Sequence, residues 1–317
     1  MVTLRIDNKV SASISQFANK GNEQATPFDL SNEDAYQAWR SKKLQDYPVD
    51  VNSAIVTINN PAKLTDLEKE RIIDTCNKTN SVIYRCSQPV TGKYIIRQLG
   101  EQLGLHRLDE NLCSEEDGIS GLQVMNEGSR HEAYIPYTNK PINWHTDGYY
   151  NLPSEQIRAM LLHCVTDSAT GGDNSLLDHE IVYLLMRDSD PEMIKAFMQK
   201  DVMTIPENIE NNIVIREAQS GPVFSINKND GHLHMRYTAR TRSIEWKNDS
   251  ATQKAVAFIK ELLNTKNKFI FNYRLQPGEG VISNNALHNR TSFTDDEQSG
   301  KKRLLYRARY FDRVQWS

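Results

Sequence analysis

The sequence predicts an α+β chain, a β-sandwich or barrel with helices packed outside it, and two observations carry that prediction. Apolar residues recur at helical spacing through the first hundred residues, and from about residue 119 the texture changes to short strands separated by turn residues. Helices gathered at one end of a chain and antiparallel strands at the other make an α+β architecture.

Each element has its own signal. "SNEDAYQAWRSKKL" opens with Ser31 as a candidate cap, and "TDLEKERIIDTCNKTN" carries a capping box in which Thr65 and Glu68 satisfy each other's backbone. "SVIYRC" then reads as a strand and "GKYIIRQLGEQLGL" as a helix. The strands "ISGLQVM", "EAYIPYT" and "IRAMLLHCV" follow, then a helical stretch over 179 to 200. "GPVFSI" and "HLHMRYT" flank "NKNDG", whose Asp230-Gly231 pair is a hairpin turn. The helix "DSATQKAVAFIKELLNT" leads to "KFIFNYRL", the turn "PGEG", "VISNNALHNRTSF" and "RLLYRARYF". No repeat and no Pro/Gly/Ser-rich linker divides the chain. The expectation is one domain over 1–317. Residues 1–118 form its mainly helical part, and 119–317 its β core, with a helical insertion near 179–200 and a helix near 249–265.

At 317 residues, 38% hydrophobic and 25% charged, the chain can bury a substantial core. Its net charge of -3 supplies no positive field for a polyanion, so nucleic acid is an unfavoured partner, although "KKR" at 301 to 303 could grip a small anion. Cys76, Cys86, Cys113 and Cys164 lack any C-x-x-C spacing and read as free thiols of a reducing, cytoplasmic compartment. The start has no basic region followed by an apolar run, and no stretch of eighteen apolar residues occurs, so neither a leader nor a membrane span is expected. Monomer and homo-oligomer both stay open.

"NWHTDGYYN" at 143 to 151 is where chemistry first shows. An H-x-D pair on an extended segment puts both side chains on one face, so His145 and Asp147 can reach one cation. A hydrogen-bonded His–Asp pair would look the same in isolation. His288, on a predicted strand after a Gly-containing turn, is the best third ligand, and two His with one carboxylate suit a non-haem Fe(II) oxygenase or a zinc hydrolase. The strand "KRLLYRARYF" adds Arg303, Arg307 and Arg309 on one face, with Leu304, Tyr306, Ala308 and Tyr310 on the other. Inward arginines need anionic partners, which a dicarboxylate co-substrate would supply.

"WHTD", "TGGDNSLL", "LQPGEGVISNNALHNRTSF" and "RLLYRARYF", in that order over 119 to 312, resemble the Fe(II)- and 2-oxoglutarate-dependent oxygenases of the taurine dioxygenase-like and clavaminate synthase-like branch. The resemblance implies a double-stranded β-helix, or jelly roll, with supporting helices, and Fe(II), 2-oxoglutarate and O2 as the reaction's partners. It implies that His145, Asp147 and His288 are the catalytic iron ligands. Arg303 would pair the distal carboxylate of 2-oxoglutarate, assisted by Asn174 or Ser175, with Ser175 preferred. Arg307 occupies a position used for a substrate anion, and Arg309 with Tyr149 and Tyr150 would line the same pocket. Because halogenating relatives lack the carboxylate that Asp147 supplies, hydroxylation of a small anionic or zwitterionic metabolite, with release of succinate and CO2, is the expected reaction. Desaturation or cyclisation by the same oxidant is the alternative within the class, and a non-catalytic jelly-roll metabolite binder the alternative outside it.

The other polar residues carry blander expectations. His232 and His234 read as solvated histidines beside a turn, and His163 and His179 as satisfied core or surface groups. His106 and His131 fall in polar loops. Arg236, Arg240 and Arg242 read as a solvated strand-to-loop face.

Overall fold

The computed structural model describes residues 26–110, 117–125, 134–210, 212–240 and 244–316. Cys113, His131 and Arg242 lie outside them. A division into two compact units falls after Lys42. In the first, Asn32 rather than Ser31 caps the helix Glu33–Leu44, its Oδ1 accepting the Ala35 N–H at 3.1 Å, while Ser31 turns its hydroxyl to Asp29. Phe28 packs edge-on against Trp39 there, with ring centroids 5.0 Å apart.

The second unit holds the two principal sheets. The larger has six strands in the order Ile55–Ile58, Ser81–Cys86, Glu279–Ser283, Ala159–Thr166, Leu304–Tyr310 and Ser120–Leu122. Its first pair is parallel and the others antiparallel. The second sheet has four antiparallel strands, Ile270–Tyr273, Asn174–Leu177, Leu287–Arg290 and Ile142–His145. Along the sequence the chain crosses from one sheet to the other repeatedly. Ile142–His145 leads into Ala159–Thr166 and then Asn174–Leu177, and Ile270–Tyr273 leads into Glu279–Ser283, Leu287–Arg290 and Leu304–Tyr310.

Strand alternation separates the two faces of the large sheet. Leu161, Ala308 and Tyr310 join Ile72, Ile73 and Cys76 of the helix Asp66–Thr79 and Ile95, Ile96 and Leu99 of the helix Tyr94–Gln102 in one buried cluster. Each such fully buried Ile or Leu contributes about 1.5 to 3 kcal/mol relative to exposure. Gly100 permits the close approach, since a Cβ there would stand 2.7 Å from the Tyr310 hydroxyl. The residues between these, Arg307 and Arg309, point the other way, and that is the face that carries the polar site.

Most expected elements form. Thr65 and Glu68 make the capping box, Asp249 caps Ser250–Asn264, and Phe224–Ile226 pairs antiparallel with Leu233–Met235 through a turn at Gly231, φ 70°. The stretch 179 to 200 is two helices, His179–Ser189 and Pro191–Phe197, parted where Pro191 lacks the N–H to continue the first. "EAYIPYT" is not a strand in its described part. It holds a single 3-10 turn, Ile135–Tyr137, because Pro136 cannot donate to a ladder. Cys76, Cys86 and Cys164 are buried free thiols. Among the described residues no helix is long and apolar enough to cross a membrane.

Candidate metal centre

His145 and His288 stand directly opposite each other on adjacent antiparallel strands, their ring centroids 4.2 Å apart. Each ring is oriented from behind by the backbone two residues before it. His145 Nδ1 meets the Asn143 carbonyl at 2.9 Å, and His288 Nδ1 meets the Ala286 carbonyl at 3.0 Å. A neutral imidazole that donates from Nδ1 presents its lone pair at Nε2, so both rings are set as ligands with the same tautomer. Burial, followed by the neighbouring His288, pulls the His145 imidazole down to about 3 against the opposing effect of Asp147. His145 is therefore neutral at pH 7, as ligation requires.

Asp147 reaches the same point by a different route from the one its spacing implied. The strand ends at His145, Thr146 still exchanges hydrogen bonds with Tyr237, and Asp147 opens the turn that follows. The paired strand stops short of the carboxylate, which nonetheless stands against the histidines at the start of the turn. Asp147 Oδ1 lies 3.8 Å from His145 Nε2, and one ligand atom from each of His145, Asp147 and His288 lies within 4.8 Å of the others. Gly148 follows with φ 66°, and a Cβ there would stand 2.4 Å from Ile157 Cγ1, so no larger residue fits the turn.

The carboxylate is 5% exposed, and its Oδ2 has no hydrogen-bond partner among the described residues. Burial alone would raise its pKa, but Arg307, His288, Arg309 and His145 together hold it well below the ordinary carboxylate range. Two Nε2 lone pairs and an ionised, partly unpaired carboxylate are the donor set of a facial two-histidine, one-carboxylate metal site. A buried unpaired carboxylate oxygen is costly in a protein, and a cation relieves that cost.

The arginines behind the triad divide by what already engages them. Arg303, just before the strand Leu304–Tyr310, is 4% exposed with its Nη1 unpartnered among the described residues, and burial lowers its pKa to about 10. Phe293 lies 5.0 Å from its guanidinium carbon, and the guanidinium lines a small cleft with Asn174, Ser168 and Gly172. Arg307 Nη1 stands 3.6 Å from Asp147 Oδ1. Arg309 is already committed: it pairs with the Asp109 carboxylate and donates to the Tyr150 hydroxyl at 2.9 Å.

Several sequence expectations change at this point. Ser175, preferred beside Arg303, instead donates its hydroxyl to Asn272 Oδ1 at 2.7 Å, and Asn174 is the residue on the cleft, because successive residues of a strand face opposite ways. Arg236 is no solvated cation. It is buried and donates to the backbone carbonyls of Tyr149, Met203 and Gln219 at 2.7, 3.0 and 2.7 Å. His234 is not a freely solvated histidine either, since burial, with His179 and Arg158 nearby, lowers it to about 3. His163 is a satisfied core residue between the Tyr84 hydroxyl and the Val90 carbonyl. Tyr149 is buried with its ring 6.5 Å from that of His145, which keeps it beside the site.

Sequence reasoning passed over two participants. Asp109 neutralises Arg309 from 200 positions away, and no local pattern announces it. Asn285, in a left-handed conformation with φ 54°, binds the backbone of Asp147. Its one signal was an asparagine pair in a tight turn three residues before His288.

The clustered triad within a two-sheet β fold is the donor set of a non-haem iron or a zinc site, and the family match decides for the iron dioxygenases. The chain belongs to the taurine catabolism dioxygenase TauD, TfdA family, whose model matches residues 42–309. It is 31% identical over 187 residues to a uridine-5'-phosphate dioxygenase of a Streptomyces species, and the match covers 57% of this chain and 65% of that relative. Among solved structures, the non-haem iron oxygenase OrfP in complex with Fe and alpha-ketoglutaric acid superposes with a TM-score of 0.57 at 13% identity, over 79% of this chain and 81% of that one. A putative alpha-ketoglutarate-dependent taurine dioxygenase from Burkholderia xenovorans gives 0.53 at 18% identity, over 80% and 84%. The asparagine oxygenase AsnO gives 0.51 at 14%, over 89% and 91%.

Proposed function

We propose that this chain is an Fe(II)- and 2-oxoglutarate-dependent dioxygenase that hydroxylates a small anionic or zwitterionic metabolite, acting as one cytoplasmic oxygenase domain with a jelly-roll core. In this reading His145, Asp147 and His288 hold the iron, and the single observation that carries it is the buried, partly unpaired Asp147 carboxylate beside two correctly oriented imidazoles. The repeated crossing of the chain between its two sheets supports the jelly-roll assignment.

Bound iron with 2-oxoglutarate supplies the oxidation of a C–H bond by O2, with succinate and CO2 as the other products. The protein's part is to bind and orient. Arg303 receives the distal carboxylate of 2-oxoglutarate, a partner that its desolvated guanidinium lacks among the described residues. Asn174 stands on the same cleft and can hydrogen-bond that carboxylate. Arg307 keeps Asp147 ionised and is the arginine left to meet a substrate anion, since Arg309 is neutralised by Asp109. Tyr149 closes the histidine side of the site. A phosphate ester belongs to the anion class that Arg307 could take, and a relative that acts on uridine-5'-phosphate favours testing nucleotides beside amino acids and carboxylates.

The test is succinate formation by the purified protein with Fe(II), 2-oxoglutarate and O2 across a panel of nucleoside monophosphates, amino acids and sulfonates. Substrate-stimulated succinate with a product heavier by one oxygen atom is expected. A ligand that binds without succinate formation would favour the binding-protein alternative.

A further inference from the structure

We infer that Asn285 is the positioning residue that fixes the Asp147 carboxylate relative to His288. The inference rests on the reading of His145, Asp147 and His288 as a metal site. Its foundation is that Asp147 lies past the end of the paired His145 strand, and its own backbone N–H and carbonyl are hydrogen-bonded by the Asn285 amide.

The Asn285 side chain is saturated by that task. Its Oδ1 accepts the Asp147 N–H at 2.7 Å, and its Nδ2 donates to the Asp147 carbonyl at 2.9 Å and to the Ile157 carbonyl at 2.6 Å. Gripping both the N–H and the C=O of one residue fixes the two peptide planes that flank its Cα. Those planes fix the direction of Cα–Cβ, and hence where the carboxylate starts from. The third bond ties the same side chain to Ile157, the residue against which Gly148 is seated. The loop that carries Asp147 is thus held at both its ends by one amide.

Asn285 is 2% exposed and sits in the turn between the strands Glu279–Ser283 and Leu287–Arg290. Its neighbour Ala286 supplies the carbonyl that orients the His288 ring. A single short turn therefore sets the third ligand through its backbone and the second through a side chain. The left-handed backbone at Asn285 is one that Asn and Gly tolerate, and it brings the amide back toward Asp147. Neither Asp nor Gly reproduces the contact: Asp keeps the acceptor but loses both donors and sets a charge against two carbonyls, and Gly keeps only the backbone.

The experiment is anaerobic titration of metal-free protein with Co(II), a visible-absorbing probe of coordination, for wild type, Asn285→Gly, Asn285→Asp and Asn284→Ala. Asn284 is the control because it is equally buried but faces away, accepting the Val314 N–H at 3.1 Å and donating to Asn80. Both Asn285 variants should bind Co(II) about 10- to 100-fold more weakly, as loss of an outer support to a ligand typically does, and should change the d–d spectrum. Asn284→Ala should lower thermal stability while leaving metal affinity within about threefold. Asn285 variants that bind like wild type, or an Asn284→Ala loss equal to theirs, would overturn the inference. If Asn285→Gly does not fold, Asn285→Asp decides alone. Wild-type protein that binds no Co(II) would refute the metal-site reading itself, a failure distinct from equal binding by all variants.

Discussion

Replacing Arg303 by Met should separate co-substrate binding from stability. Arg303 is 4% exposed, one of its guanidinium nitrogens is buried without a partner among the described residues, and burial has lowered its pKa to about 10. That lowering corresponds to as much as about 3 kcal/mol of desolvation felt by the free protein at neutral pH, which an apolar side chain of similar length does not incur. The Met variant should therefore melt at the same temperature or a few degrees higher. When 2-oxoglutarate binds, the incoming carboxylate compensates that charge, and deleting one partner of a buried, hydrogen-bonded ion pair costs about 2 to 5 kcal/mol. At about 1.4 kcal/mol per tenfold, affinity for 2-oxoglutarate should fall between about 30-fold and several thousand-fold. Calorimetric titration of the metal-loaded protein under argon measures the affinity, and a thermal melt of the ligand-free protein measures the stability. Affinity within threefold of wild type would refute the assignment of Arg303. A melt lowered together with affinity would refute the claim that its charge is uncompensated before the ligand arrives.

Other outcomes follow from the same geometry. Asn174→Ala should weaken 2-oxoglutarate binding in that titration while Ser175→Ala leaves it within about twofold, and the reverse order would return the role to Ser175. Arg309→Met breaks the buried pair with Asp109 and the hydrogen bond to Tyr150 and should cost about 3 to 5 kcal/mol in denaturant unfolding, and a loss below about 1 kcal/mol would refute a structural role for that pair. His234 is held at about 3, below its unfolded value of about 6.5, so the unfolded chain binds more protons between those values. Stability should be unaffected above pH 6.5 and should fall as pH drops through that window, by at most about 1.4 kcal/mol per unit. His234→Gln should flatten the fall, and an unchanged slope would show that other groups produce it.

How far the sequence could be read differs from residue to residue. The helices carried caps and periodicity, and the face alternation of "RLLYRARY" separated Ala308 and Tyr310 from Arg307 and Arg309 correctly, because helix packing needs an apolar face whatever the other face does. The candidate metal triad was legible as residue types in order, yet strand alternation alone did not account for Asp147, which opens the turn after the His145 strand. Such a turn depends on a side-chain amide 138 positions away, and long-range hydrogen bonds leave no periodic trace in a sequence. The same limit hid Asp109 and, with it, the neutralisation of Arg309. The choice between Ser175 and Asn174 depends on which way the first residue of a short strand points, and only pairing of Asn174 with Arg290 and Tyr273 sets that parity. Arg236 looked like a surface cation because composition cannot reveal the backbone carbonyls that converge on it.

The most direct test of the metal site is anaerobic addition of Fe(II) and 2-oxoglutarate to metal-free protein, following the weak visible metal-to-ligand charge-transfer band, with Asp147→Ala alongside. The predicted result is a band in the wild type that is lost or displaced in the variant, because the Asp147 carboxylate is the one anionic member of the clustered triad. No band in the wild type, or an identical band in Asp147→Ala, would contradict the account.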